Sequence, residues 1–160
     1  MVEVDEIKQL EFFNVFSQEQ LEEISKITEK RNYEKGALVY QRGYRADHIY
    51  VVIKGLISLN RLEPGEKIGI SFEKREQGEL FGAACFMEPQ EYTLTAVCMA
   101  DSEVMVLDTN KLLEICERDP ELGYKFVKEV AQIYFERYKV AKRQVHEMVK
   151  TPTIITALPG

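Results

Sequence analysis

The stretch from Gly78 to Ala100, GELFGAACFMEPQEYTLTAVCMA, has the outline of a phosphate cradle. Two glycines precede a short helix-like run, and a strand rich in Thr and Val follows. Such a cradle works through two kinds of group. Backbone N–H groups at the start of a helical turn point at an anion. A guanidinium or ammonium adds a charge-assisted contact worth about 1.5–3 kcal/mol. Only the first kind is offered here. The stretch carries Glu79, Glu88 and Glu91, and no Lys or Arg occurs between Arg75 and Lys111. The groups left to meet a ligand are Gly82, Ala83, Ala84 and Cys85, then Thr93, Leu94 and Thr95, of which the two threonines offer hydroxyls. The acids read as a solvated loop surface. Gly82 suits a cradle and a plain turn equally well.

Cysteine offers a second chemistry. Cys85 lies within the cradle and Cys98 on the strand beyond it. A thiol beside helix N–H groups has a lowered pKa and reacts as the thiolate, which would make a redox sensor. The plainer reading is that each is a small apolar core residue. With Cys116 the cysteines number three and show no CxxC spacing, so reduced thiols in a cytoplasmic protein are expected. The two histidines, His48 and His146, are too few and too isolated to suggest a metal cluster. No nucleophile stands with a paired base, so no enzyme is expected.

These groups need a scaffold, and the periodicities supply one. FFNVFSQEQLEEISKITEK reads as a helix, with Ser17 as cap and Gln20 in the capping-box position. From Arg31 the texture changes to short β-rich runs: ALVY, HIYVVI, LISLNRL, KIGISFE, YTLTAVCMA and EVMVLD. Turn residues separate them, which implies an antiparallel sandwich or barrel. NKLLEICERDP is a short helix. A long helix follows over 119–150, with Asp119 as cap and Pro120 at its first position. Residues 151–160 are a breaker-rich tail. Helices segregated from an antiparallel sheet make an α+β protein.

The order and spacing of the glycines resemble the cyclic nucleotide-binding domain family, the sensory domain of catabolite-activator-type regulators and of kinase regulatory subunits. YEKGALVYQRGYRADHIYVVIKGLISL is similar to that family's opening strands, with Gly36, Gly43, Asp47, Tyr50 and Gly55 in the family's places. GELFG resembles the start of its phosphate-binding cassette, and the likeness covers roughly residues 12 to 148. It implies an antiparallel β-roll, a jelly roll, flanked by an N-terminal helix and a long C-terminal helix, in one domain over 1–150. Family members carry a glutamate just after the FG pair, for the ribose hydroxyl, and an arginine opening the next strand, for the cyclic phosphate. Here those places hold Ala83 and Leu94, or Thr93 if the loop is one residue longer. Cyclic AMP or cyclic GMP binding is therefore expected to be weak or unconventional. Arg137 and Tyr138 fall where relatives present base-contacting side chains; both also read as ordinary helix residues.

Val127, Val130, Tyr134, Tyr138, Ala141, Val145 and Met148 step by three and four along the long helix. Phe126, Ile133 and Val140 lie on another face. A helix apolar on two faces needs two partners, and the resemblance implies a homodimer through this helix, centred on Val127, Val130, Tyr134, Ala141 and Val145. DNA-binding relatives continue into a helix-turn-helix domain, for which VKTPTIITALPG leaves no room. The net charge of −6 and pI near 5.1 argue against autonomous duplex binding and against anionic membranes. The function expected is a regulatory module that binds a nucleotide or another small effector and signals through the C-terminal helix. The alternatives are a redox or small-apolar-effector sensor using the same cavity, and a ligand-free dimerisation scaffold.

Overall fold

The computed structural model describes residues 1–61 and 71–149. The first residues of KIGISFE, the turn at Pro64–Gly65 and the tail 151–160 lie outside the described residues. Two compact units are distinguished, Met1–Lys125 and the chain from Phe126 onward.

The first unit opens with α1 (Val4–Lys8), a 3₁₀ turn at Glu11–Phe13 and α2 (Gln18–Lys26). The capping box forms: Ser17 Oγ accepts from the Gln20 N–H at 3.2 Å, and Gln20 Oε1 accepts from the Ser17 N–H at 3.0 Å. The helix is shorter than the sequence pattern suggests at both ends. Phe12, Phe13 and Phe16 precede the cap and are buried, with Phe12 edge-on to Phe13 at 4.9 Å. At the other end Thr28 Oγ1 donates to the Ser25 carbonyl at 2.9 Å, and Thr28 to Lys30 are already strand. Pairing with a strand far along the chain overrides local helix propensity there.

Eight strands follow: β1 (Thr28–Tyr33), β2 (Leu38–Tyr40), β3 (His48–Lys54), β4 (Ile57–Asn60), β5 (Ser71–Arg75), β6 (Leu80–Phe81), β7 (Thr95–Cys98) and β8 (Ser102–Asp108). They form two antiparallel four-stranded sheets, ordered β1-β8-β3-β6 and β2-β7-β4-β5. This is the expected β-roll, with β1 and β6 added. Alternate residues of the facing sheets meet between them: Tyr50 and Val52, Ile57 and Leu59, Ala96 and Cys98, Val104 and Val106. Ile49, Val51, Met105 and Leu107 on the other face of the first sheet are also fully buried, so that sheet is covered on both sides. α2 lies beside β1 and α3 (Thr109–Arg118) beside β8.

The β3–β4 turn depends on Gly55. Its φ is +106°, and a Cβ there would lie 2.2 Å from Ser102 Oγ. That hydroxyl accepts from the Leu56 N–H and donates to the Ala100 carbonyl, locking the turn against the start of β8.

Asp108 caps α3 by accepting from the Lys111 N–H at 3.0 Å. α4 runs from Pro120 to Met148, with Asp119 Oδ1 accepting from the Leu122 N–H at 3.1 Å. In the second unit Phe126 and Val130 are buried. Val127 and Tyr134 are each 45% exposed, Phe135 60% and Val140 47%. Ala141 is exposed and Val145 half-buried. No described helix is long and apolar enough to cross a membrane.

Candidate ligand site

β6 delivers the chain to Gly82, whose φ of +77° only glycine adopts without strain. Its surroundings also exclude a side chain. A Cβ would lie 3.1 Å from Tyr50 Cδ2, 3.2 Å from Tyr40 Cε2 and 3.4 Å from Tyr92 Cε1. Ala83 is buried, Ala84 to Phe86 form one 3₁₀ turn, and the Met87 N–H closes it on the Ala84 carbonyl at 3.0 Å. The chain returns through Tyr92 to β7.

The space beside Gly82 is furnished with rings. Tyr40 and Tyr92 stack with centroids 3.7 Å apart and planes 13° from parallel. Tyr50 and Phe81 stack at 5.1 Å, and Tyr40 lies 6.1 Å from Phe81. Aromatic pairs of this kind contribute about 0.5–1.5 kcal/mol beyond their buried area. Tyr92 also ties the site to β3: its hydroxyl accepts from the His48 N–H at 3.2 Å and donates to the His48 carbonyl at 2.8 Å. Burial pushes the Tyr50 and Tyr92 phenols above their ordinary pKa. Sequence reasoning placed Tyr50 among the family landmarks but missed Tyr40 and Tyr92 as walls of the site. The available signal was a tyrosine at the edge of each of two short runs, Tyr40 ending ALVY ahead of Gly43 and Tyr92 opening YTLTAVCMA after Pro89.

The remaining candidates divide. Leu94 is half-buried and packs against the roll core. Thr95 is buried, and its Oγ1 accepts from the Arg42 N–H at 3.0 Å, whereas Thr93 is exposed. Cys85 is buried, and burial pushes its thiol up to about 12. The plainer reading of Cys85 as a small core residue agrees with its burial, and the redox alternative is not favoured: a three-residue turn gives too little N–H field to offset desolvation. Burial raises Cys98 and Cys116 as well. On α4 the Arg137 guanidinium lies 5.2 Å from the Tyr134 ring, and the Lys142 ammonium 4.7 Å from the Tyr138 ring. Both are local contacts between successive helical turns.

Residues 30–119 match the model of the cyclic nucleotide-binding domain family. The chain is 28% identical over 118 residues to the anaerobic regulatory protein of Bacillus subtilis (strain 168), covering 72% of this chain. It spans about half, 48%, of that relative's length. Among solved structures, a cyclic nucleotide-binding domain from Methylobacillus flagellatus KT superposes with a TM-score of 0.72 at 16% identity, over 98% of this chain and 84% of that one. The Thermus thermophilus catabolite activator protein superposes with a TM-score of 0.67 at 21% identity, over 86% and 62% respectively.

Proposed function

The chain belongs to the cyclic nucleotide-binding domain family, and from that membership we propose a non-enzymatic sensory module whose β-roll takes a small effector and whose α4 carries the signal. The effector enters beside Gly82, where the Tyr40–Tyr92 pair borders the cassette. It is not a conventionally held cyclic nucleotide. The observation that carries this reading is the chemistry of the two positions on which the family relies. Ala83 and Leu94 are both apolar, Ala83 buried and Leu94 half-buried against the roll core. A cyclic phosphate there meets backbone N–H groups and hydroxyls alone. The acidic chain and its similarity to regulators fit a partner-coupled switch in the cell interior. The exposed stripe of α4 that carries Val127 and Tyr134 suits a second copy of the chain.

Calorimetry with cyclic AMP tests the proposal. The unaltered protein is expected to bind weakly, and the double variant Ala83→Glu/Leu94→Arg to bind about two decades more tightly. That gain corresponds to two charge-assisted contacts, less the desolvation of a new arginine. Ala83→Glu with Thr93→Arg provides the other register at an exposed position. Low-micromolar binding by the unaltered protein would sink the reading.

A further inference from the structure

The cassette has no cation, but another part of the roll gathers several. A cleft of about 260 Å³ is lined by Lys26 from the end of α2, Arg31 from β1, His48 from the start of β3 and Lys111 from the first turn of α3. Thr28 and Val106 contribute to its walls, and Glu29 and Asp108 are its acids. The four basic side chains come from three separate stretches of the sequence, Lys26 and Arg31 from one, His48 and Lys111 from the others, so the fold assembles them. The register shows how. β8 lies between β1 and β3, with Val104 opposite Arg31, Val106 opposite Glu29 and Asp108 opposite His48. Those alternate positions share one face of the sheet, so Arg31, Glu29, His48 and Asp108 all project from it.

The two acids are already engaged. Glu29 Oε1 accepts from Arg31 Nε at 2.5 Å, and Asp108 is the cap of α3. Lys26 is paired with Glu23 on the exposed surface of α2, a contact that an incoming anion can share. Three permanent cations and an imidazole thus face two committed carboxylates, on a chain whose net charge is −6. The volume lies below the roughly 300–1,000 Å³ of sites for drug-sized molecules. Cations arriving from three separate elements suit a ligand with more than one negative group.

We propose that this cleft binds a small multivalent anion, of the diphosphate or polycarboxylate class, between Lys26, Arg31 and Lys111, with His48 taking up a proton as the anion enters. The site is distinct from the cassette and stands whether or not the cassette holds an effector. His48 is the group through which binding is read. Burial, and then the Arg31 guanidinium, hold its imidazole below the ordinary value. Asp108 at the end of β8, Asp47 just ahead of β3 and Glu29 on β1 act in the opposite sense, more weakly. The Tyr50 ring lies 6.2 Å from the imidazole, and the Tyr92 hydroxyl bonds the His48 backbone and the Tyr50 phenol. An anion seated between Arg31 and Lys111 offsets the repulsion of the imidazolium by Arg31, so the His48 pKa rises on binding.

The experiment uses the full chain, with pyrophosphate as the probe at constant ionic strength. Calorimetry gives the affinity, and the NMR titration of the His48 ring gives its midpoint with and without ligand. The expected results are saturable binding and a His48 midpoint that moves to higher pH. Arg31→Gln and Lys111→Gln should each weaken binding by about tenfold, the equivalent of one charge-assisted contact. Lys139→Gln, on the exposed surface of α4, should leave it unchanged. Citrate in place of pyrophosphate distinguishes a polycarboxylate from a phosphate preference. The proposal is overturned by no saturable binding at millimolar pyrophosphate and citrate, by Lys111→Gln matching Lys139→Gln, or by a His48 midpoint that does not move. Binding to an acidic polypeptide but to neither small anion would overturn it too, making the cleft a protein-docking surface.

Discussion

Tyr92 does two jobs with one side chain. Its ring stacks on Tyr40, and its hydroxyl closes a two-bond link to the backbone of His48, 44 residues earlier. Tyr92→Phe keeps the stack and removes the link, leaving a part-buried N–H and carbonyl without that partner. A loss of about 1–3 kcal/mol is expected, the cost of stranding buried polar groups, read as a lower midpoint in urea at unchanged slope. An unchanged midpoint would mean that the hydroxyl carries none of the load. At this scale the sequence was only partly legible. The absence of any Lys or Arg between Arg75 and Lys111 could be read directly, because it is a fact of residue type. The pairing of Tyr92 with Tyr40 and His48 could not, because it depends on which strands the chain brings together. The burial of Cys85 was legible from residue type alone, since a free cysteine is a small apolar side chain.

Local chemistry sets element boundaries where the signal is itself local. The capping box at Ser17 and Gln20 is read within four residues, and it forms. Ser17→Ala removes the acceptor for the Gln20 N–H, and the expected loss is about 1 kcal/mol. Thermal unfolding of the two proteins checks this, and equal midpoints would show that α2 is fixed by packing alone. Thr28 to Lys30 illustrate the limit. Nothing local stops the helix there; the stop comes from pairing with Met105 to Leu107 on β8. β6 escaped notice for the same reason, being two residues held only by Tyr50 and Val51 of β3. Gly55 and Gly82, by contrast, were legible as punctuation, since each stands where the backbone turns with positive φ.

For the whole molecule, the legible features were those repeated over many residues: helix, short strands, helices again, and a glycine order specific enough to indicate the family. The described residues bear this out as two four-stranded sheets with flanking helices. Assembly is the open property at this scale. Tyr134 is 45% exposed on a helix that also exposes Val127, Phe135 and Val140. Tyr134→Glu is expected to yield monomers where the unaltered protein sediments as a dimer, since the seam would bury an unpaired charge. The variant also exchanges the ring contact with Arg137 for an ion pair one helical turn apart, so the isolated helix is not weakened. A monomeric unaltered protein at micromolar concentration would refute the dimer.

The chain contains eight tyrosines and no tryptophan. Its near-ultraviolet optical activity therefore comes chiefly from phenol rings, and Tyr40 and Tyr92 are held almost parallel at 3.7 Å. Two chromophores that close couple their transitions, and the coupling depends steeply on spacing and tilt. On the proposed entry beside Gly82, a molecule would have to part or tilt those rings. On that proposal the stacked pair would act as a label-free spectroscopic gauge of the roll interior, indifferent to what the occupant is.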